Sequence, residues 1–196
     1  MTEAVLETAP LVPGWFHHGD QILALLAQHR PVVCVELGTF LGASAIPVAR
    51  AIARWGGVLT CVDTWSDDIA HAGPTSPWLL LGCARNLAAA GVTNIRLMPT
   101  ATIEAARTWT EPIDYLYIDA DHAYEAVRAD LAAWVPHVKP GGLILGDDYG
   151  NRAFPGVQHA WDAFEAAHGI PFTRYQSRPP HPDGVQLIYG TKEAHV

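Results

Sequence analysis

Residues 143–149 read LILGDDY. Three apolar residues and a glycine suit a strand inside a sheet, and the run ends in two adjacent carboxylates. A turn can use one aspartate. The second needs its own reason. A buried strand with acids at its carboxyl end is the signature of an open parallel sheet, where ligands bind just beyond the strand ends. This reading sets the search for the other strands.

Short apolar runs bounded by Gly, Pro or Asp recur at 32–37 (VVCVEL), 58–63 (VLTCVD), 94–98 (NIRLM), 113–118 (IDYLYI) and 142–147 (GLILGD). They are apolar at successive positions, as expected of strands covered on both faces. Helical patterns lie between them, at 44–55, 78–91, 101–109, 122–138 and 157–168, with a leading helix at 15–29. Pro47 fits only a first helical turn, and Gly91 suits a helix terminus. Strands separated by helices imply parallel pairing with right-handed crossovers. FTRYQ (172–176) and VQLIYG (185–190) have no helix between them, only RPPHPDG. They predict an antiparallel hairpin on the sheet edge. The expected fold is a Rossmann-like α/β domain: a seven-stranded, mostly parallel sheet with an antiparallel last strand and helices on both faces. One domain accounts for residues 1–196, with 1–30 as a leading helical segment.

The bulk composition narrows the function. The chain has 196 residues, 49% hydrophobic, enough for one well-filled core. Twelve Lys and Arg against 20 Asp and Glu give a formal charge of −8, which argues against nucleic acid as a partner. Cys34, Cys61 and Cys83 form no CxxC pair and sit on apolar stretches, as reduced thiols do. No secretory signal opens the sequence, and no apolar run could span a bilayer, so a cytoplasmic protein without a membrane partner is expected. A homodimer stays open.

The first strand leads into VELGTFLGASA (35–45). Gly38 permits a sharp turn and Gly42 a close approach to a helix start. The spacing is E-x-G-x-x-x-G, not the G-x-G-x-x-G of a dinucleotide site. Glu36 would repel a diphosphate there and suits a cationic or hydroxylated ligand. Asp63, at the end of the second strand, could hold the two hydroxyls of a ribose, or cap a helix.

The stretch VELGTFLGASAIPVARAI resembles the first motif of class I S-adenosylmethionine (SAM)-dependent methyltransferases, above all the catechol O-methyltransferase type. The resemblance implies that Glu36, Gly38 and Ser44, with Thr39 beside them, handle the methionine part of SAM and that Asp63 takes the ribose. Ala101 and Thr102, in PTATIEA, are the candidates near the adenine, and Asp119 also borders the cofactor. The likeness runs from about residue 30 to 165 and extends to the final hairpin.

The fourth strand ends IDADHAYEAV (118–127) and the fifth LGDDY. Adjacent parallel strands lie about 4.8 Å apart, which brings Asp119 towards Asp147 and Asp148. Three carboxylates in one cleft repel unless a cation joins them. Oxygen ligands of this kind suit Mg²⁺ or Mn²⁺. The plainer alternative makes Asp147 and Asp148 turn residues, while Asp121 caps the following helix. In the catechol-type enzymes acids at the matching places hold Mg²⁺. DTWSDDIAHAG and IDADHAYEAV also resemble a bacterial branch of metal-dependent O-methyltransferases acting on natural-product sugars and antibiotics. At the offset of His122 the catechol-type enzymes carry a lysine base and some macrolide-sugar enzymes a histidine, so the resemblance implies His122 as general base. The function implied is transfer of a methyl group from SAM to the hydroxyl of a small or glycosylated metabolite. A nicotinamide-dependent oxidoreductase, a non-catalytic SAM-binding module, and a role in a hydroxylation pathway are the rivals.

Overall fold

The computed structural model describes residues 12–66, 75–177 and 183–193. Most of DTWSDDIAHAG and most of the RPPHPDG loop lie outside them. The chain runs α1 (Gly19–His29), β1 (Val33–Leu37), α2 (Ala45–Ala53), β2 (Val58–Asp63), α3 (Pro77–Ala89), β3 (Ile95–Pro99), α4 (Thr102–Thr108) and β4 (Ile113–Ile118). It continues with α5 (Tyr124–Trp134), a 3₁₀ turn (Val135–His137), β5 (Val138–Tyr149), α6 (Pro155–His168), β6 (Thr173–Tyr175) and β7 (Gln186–Thr191).

The strands form one sheet in the order β3-β2-β1-β4-β5-β7-β6. The first five are parallel; β7 runs antiparallel to both β5 and β6. The predicted hairpin is therefore the sheet edge, with β6 outermost. Pro47 falls in the first turn of α2, and Gly91 follows α3 in the left-handed conformation, φ 68°. Most boundaries shift by a residue or two, and two starts differ by four. The leading helix begins at Gly19 rather than residue 15. The fifth strand begins at Val138, which pairs with Ile113 ahead of a register shift.

Side chains on a strand alternate between faces, and the two halves of the core follow that rule. Val35, Leu37, Leu116, Ile118 and Ile144 pack under Trp134, Trp161 and Phe164 of α5 and α6. Cys34, Leu59, Cys61, Tyr115, Tyr117, Leu143 and Leu145 pack on the other face with α1, α2 and α3. All three cysteines are free and buried, and burial raises their thiol pKa values, which makes them inert. Among the described residues no helix is long and apolar enough to cross a membrane.

Gly146 shows how tightly α6 is seated. A Cβ there would lie 2.3 Å from the Trp161 indole, and Trp161 is 1% exposed. Gly146→Ala should therefore destabilise the protein by about 1–3 kcal/mol, the usual cost of overpacking. Urea unfolding measures it, and a loss below about 0.5 kcal/mol would mean that Trp161 moves aside freely.

Candidate functional site

The carboxyl ends of β1, β2, β4 and β5 meet at one rim. Gly38 adopts φ 81°, and a Cβ on it would lie 1.9 Å from the Asp119 carbonyl oxygen. The Asp119 N–H donates to the Leu37 carbonyl at 2.9 Å. Only glycine lets the turns after β1 and β4 come this close.

The turn after β1 is held from below by Asp63. Its Oδ2 accepts the N–H groups of Thr39 and Phe40, each at 2.8 Å, and its Oδ1 accepts that of Trp65 at 2.7 Å. The Trp65 indole N–H returns a bond to the Phe40 carbonyl at 2.7 Å. Phe40 and Trp65 both have positive φ, 48° and 45°, a conformation that costs non-glycine residues of order 1 kcal/mol or more. One carboxylate thus locks two strained loops together. Asp63 stands at the expected place, but most of its acceptor capacity serves the backbone. No helix starts directly after it, so it is not a cap.

Glu36 and Ser44 lie beneath this turn rather than on its surface. Glu36 is 1% exposed. Its carboxylate accepts the Ser44 hydroxyl and has the Cys61 sulfur 3.8 Å away. Burial pushes the Glu36 carboxyl up to about 8, with the Ser44 hydrogen bond opposing and the Asp63 charge assisting. Thr39 is buried next to them. Ala101 immediately precedes α4 and Thr102 opens it; the Thr102 carbonyl accepts the Trp134 indole N–H at 3.1 Å.

On the other side of the rim the paired aspartates separate. Tyr117 pairs in register with Leu145, so Asp147, two residues on, faces the α1 side. Its Oδ2 accepts the Tyr117 hydroxyl at 3.1 Å, and its Oδ1 lies 3.8 Å from His18 Nε2. Asp148 has φ 57° and faces the α5 side. Its Oδ2 lies 2.7 Å from His122 Nε2, and its Oδ1 accepts the Asn151 amide at 2.6 Å. Asp119 Oδ1 is 3.9 Å from the same His122 nitrogen. Asp119, His122 and Asp148 each offer one donor atom within 4.8 Å of the other two; Asp147 does not join them. The expected convergence of Asp119 with Asp147 and Asp148 is thus met for Asp148, and His122 occupies the third place.

The charges respond to this packing. Burial raises the Asp119 carboxyl well above its ordinary range, and the charges of Asp147 and Asp148 raise it further. Asp147 is pushed up to about 6 by burial and by Asp148. Burial also opposes ionisation of Asp148, but its bonds to His122 and Asn151 prevail and hold it below the usual carboxylate range. The His122 ring stacks on Phe154, centroids 4.1 Å apart. Asp121 accepts the Ala123 N–H at 2.8 Å in the turn that leads into α5. Trp65 is buried, while Trp78 is 78% exposed. A separate cavity of about 440 Å³ opens beside β3, but its charged lining residues, Arg96 and Glu111, pair with each other at 3.3 Å.

Tyr117 and Asn151 were not among the expected site residues. Strand alternation alone could have found Tyr117, because it shares a face with Asp147. His18, just ahead of α1, is 1% exposed.

A family model described as a methyltransferase domain matches residues 35–149. That span contains the first turn, Asp63, Asp119, His122 and both aspartates. An uncharacterized protein, y4gI, of Sinorhizobium fredii is 27% identical over 183 residues, which cover 92% of this chain and 19% of the relative. This chain thus spans under a fifth of that relative's length. A cofactor-bound structure of Rv0187 from MTB is similar with a TM-score of 0.73 and 19% identity, covering 94% of this chain and 84% of the other. An O-methyltransferase from Bacillus cereus in complex with SAH gives a TM-score of 0.71 and 18% identity over the same shares of the two chains. With the family model covering more than half of its length, the chain belongs to the methyltransferase-domain family.

Proposed function

We propose that the protein transfers a methyl group from SAM to a hydroxyl of a small or glycosylated metabolite, with a divalent cation at the rim and His122 as general base. The observation that carries this reading is the close grouping of Asp119, His122 and Asp148 beside the braced turn after β1. The B. cereus structure, an O-methyltransferase with SAH bound, supports the choice of donor and of oxygen as acceptor.

The donor set fits Mg²⁺ or Mn²⁺. Asp119 and Asp148 supply hard oxygens, and their mutual repulsion falls when a cation lies between them. Such a cation would lower the pKa of a bound hydroxyl. The chain's own residues then do the rest. The turn after β1 holds the methionine end of SAM, and Asp63 keeps acceptor capacity for a ribose hydroxyl, since a carboxylate offers about four lone-pair sites. Asp148 fixes the His122 ring through the 2.7 Å contact of its Oδ2 with Nε2. His122 takes the acceptor proton as the acceptor oxygen attacks the SAM methyl in line. The O–C bond forms, the C–S bond breaks, and S-adenosylhomocysteine (SAH) leaves. A nicotinamide-dependent reaction lacks support at this turn, whose E-x-G-x-x-x-G spacing is not that of a dinucleotide site. A binding module would have no use for the rim cluster.

Calorimetry with SAH tests the donor site. The wild type should bind, and Asp63→Ala should lose about 1–3 kcal/mol through its charge-assisted bonds. Unchanged affinity would remove Asp63 from the account. Chelation tests the cation: methyl transfer to a panel of hydroxylated metabolites should vanish with EDTA and return with Mg²⁺ or Mn²⁺. Asp148→Asn should shift the metal saturation curve more than Asp147→Asn. Full activity in chelator would make both aspartates structural.

The base has its own test. His122→Ala should leave SAH and metal affinity nearly intact while turnover falls by about 10²–10⁴. The same 4.8 Å grouping would also suit His122 as the third metal ligand. In that case the variant loses metal instead, and the proton goes elsewhere.

A further inference from the structure

The segment ahead of α1 touches both halves of the site. Gly14 packs so closely on the start of α2 that a Cβ there would lie 2.8 Å from the Ala43 Cβ. Trp15 stacks on Phe40, the strained residue of the turn after β1, with ring centroids 6.3 Å apart and planes at 29°. Three residues later His18 lies 3.8 Å from Asp147. The His18 ring meets Tyr175 edge-on at 6.1 Å. Residues 14–18 therefore cross from the turn after β1 to the end of β5.

The two ends of this crossing are built differently. His18 and the Asp147 side chain are 1% and 5% exposed. A buried carboxylate needs polar partners, and Tyr117 and His18 face this one. Trp15 is 67% exposed, held mainly by one aromatic face. A fixed anchor and a loosely held aromatic are what a strap over a binding turn requires. They also give Asp147 a use that the rim cluster does not, because it lies outside the Asp119–His122–Asp148 group.

We infer that residues 14–18 form a strap, latched by His18 on Asp147, that holds Trp15 over Phe40 and so slows the escape of the methyl donor. This rests on the SAM reading of the turn after β1. His18 acts through the strap and is a positioning residue. Trp15 is the part that covers the cofactor loop.

Two measurements on the full chain test the strap separately. Hydrogen exchange without any ligand probes the latch. His18→Ala should speed exchange at Ile22 and Phe40, whose N–H groups bond the His18 carbonyl and Asp63, whereas His18→Gln, which keeps a donor near the Nε2 position, should restore most of the protection. SAH binding kinetics probe the consequence. Trp15→Ala, an exposed site that the fold tolerates, and His18→Ala should each speed SAH release about tenfold, the scale of one lost aromatic or polar contact. The double variant should be no faster than the worse single one, because both act through one strap. Unchanged exchange in His18→Ala, or additive effects on release, would overturn the proposal. If the wild type binds no SAH, the SAM reading fails by itself, and the strap's proposed purpose fails with it. Binding with release unchanged in both variants would sink the strap alone.

Discussion

Two neighbouring residues of a strand cannot point the same way, and the site depends on this constraint. β5 delivers Leu143 and Leu145 to one face of the sheet and Ile144 to the other. The aspartates continue the alternation past the end of the core. Asp147 turns to Tyr117 and His18; Asp148 turns to His122 and Asn151. A pair of acids adjacent in sequence thus serves two surroundings. One carboxylate is partly neutralised by burial, and the other is held ionised by its hydrogen bonds. Such a separation of two like groups by environment is how a single rim can combine an anchoring acid with a reactive one.

The other half of the rim depends on backbone, not on charge. Phe40 and Trp65 hold conformations that side-chain-bearing residues avoid. The strain persists because one carboxylate, Asp63, takes three backbone N–H groups. Fixed N–H and C=O directions at a ligand turn reduce the ordering cost of binding. Glu36 sits below this lattice with Ser44, in surroundings that favour its protonated form. Its carboxylate accepts the Ser44 hydroxyl and so ties the end of β1 to the start of α2.

Much of this was legible in the sequence. The five parallel strands were visible because a sheet covered on both faces favours apolar runs, and their parallel pairing followed from the helices between them. The rim residues were visible because acids at the ends of such runs have no core to join. The direction of each side chain was harder to read. Asp63 looked like a ligand group, since nothing in VLTCVD announces that two loops will bend back to it. The three acids looked convergent, because strand spacing places their Cα atoms together, while alternation separates two of their carboxylates. His18 was hidden because a histidine before a helix carries no mark of burial. Its burial comes from Tyr175 and Asp147, which lie far off in the sequence.

Crystals grown with SAH and soaked in Mn²⁺ offer the most direct test, through the anomalous scattering of the metal. The account predicts one manganese peak between the Asp119 and Asp148 carboxylates. SAH should lie over the turn at Gly38, and Asp147 should still accept the Tyr117 hydroxyl. A peak bound by Asp147, or SAH bound at a rim that takes no manganese at all, would contradict it.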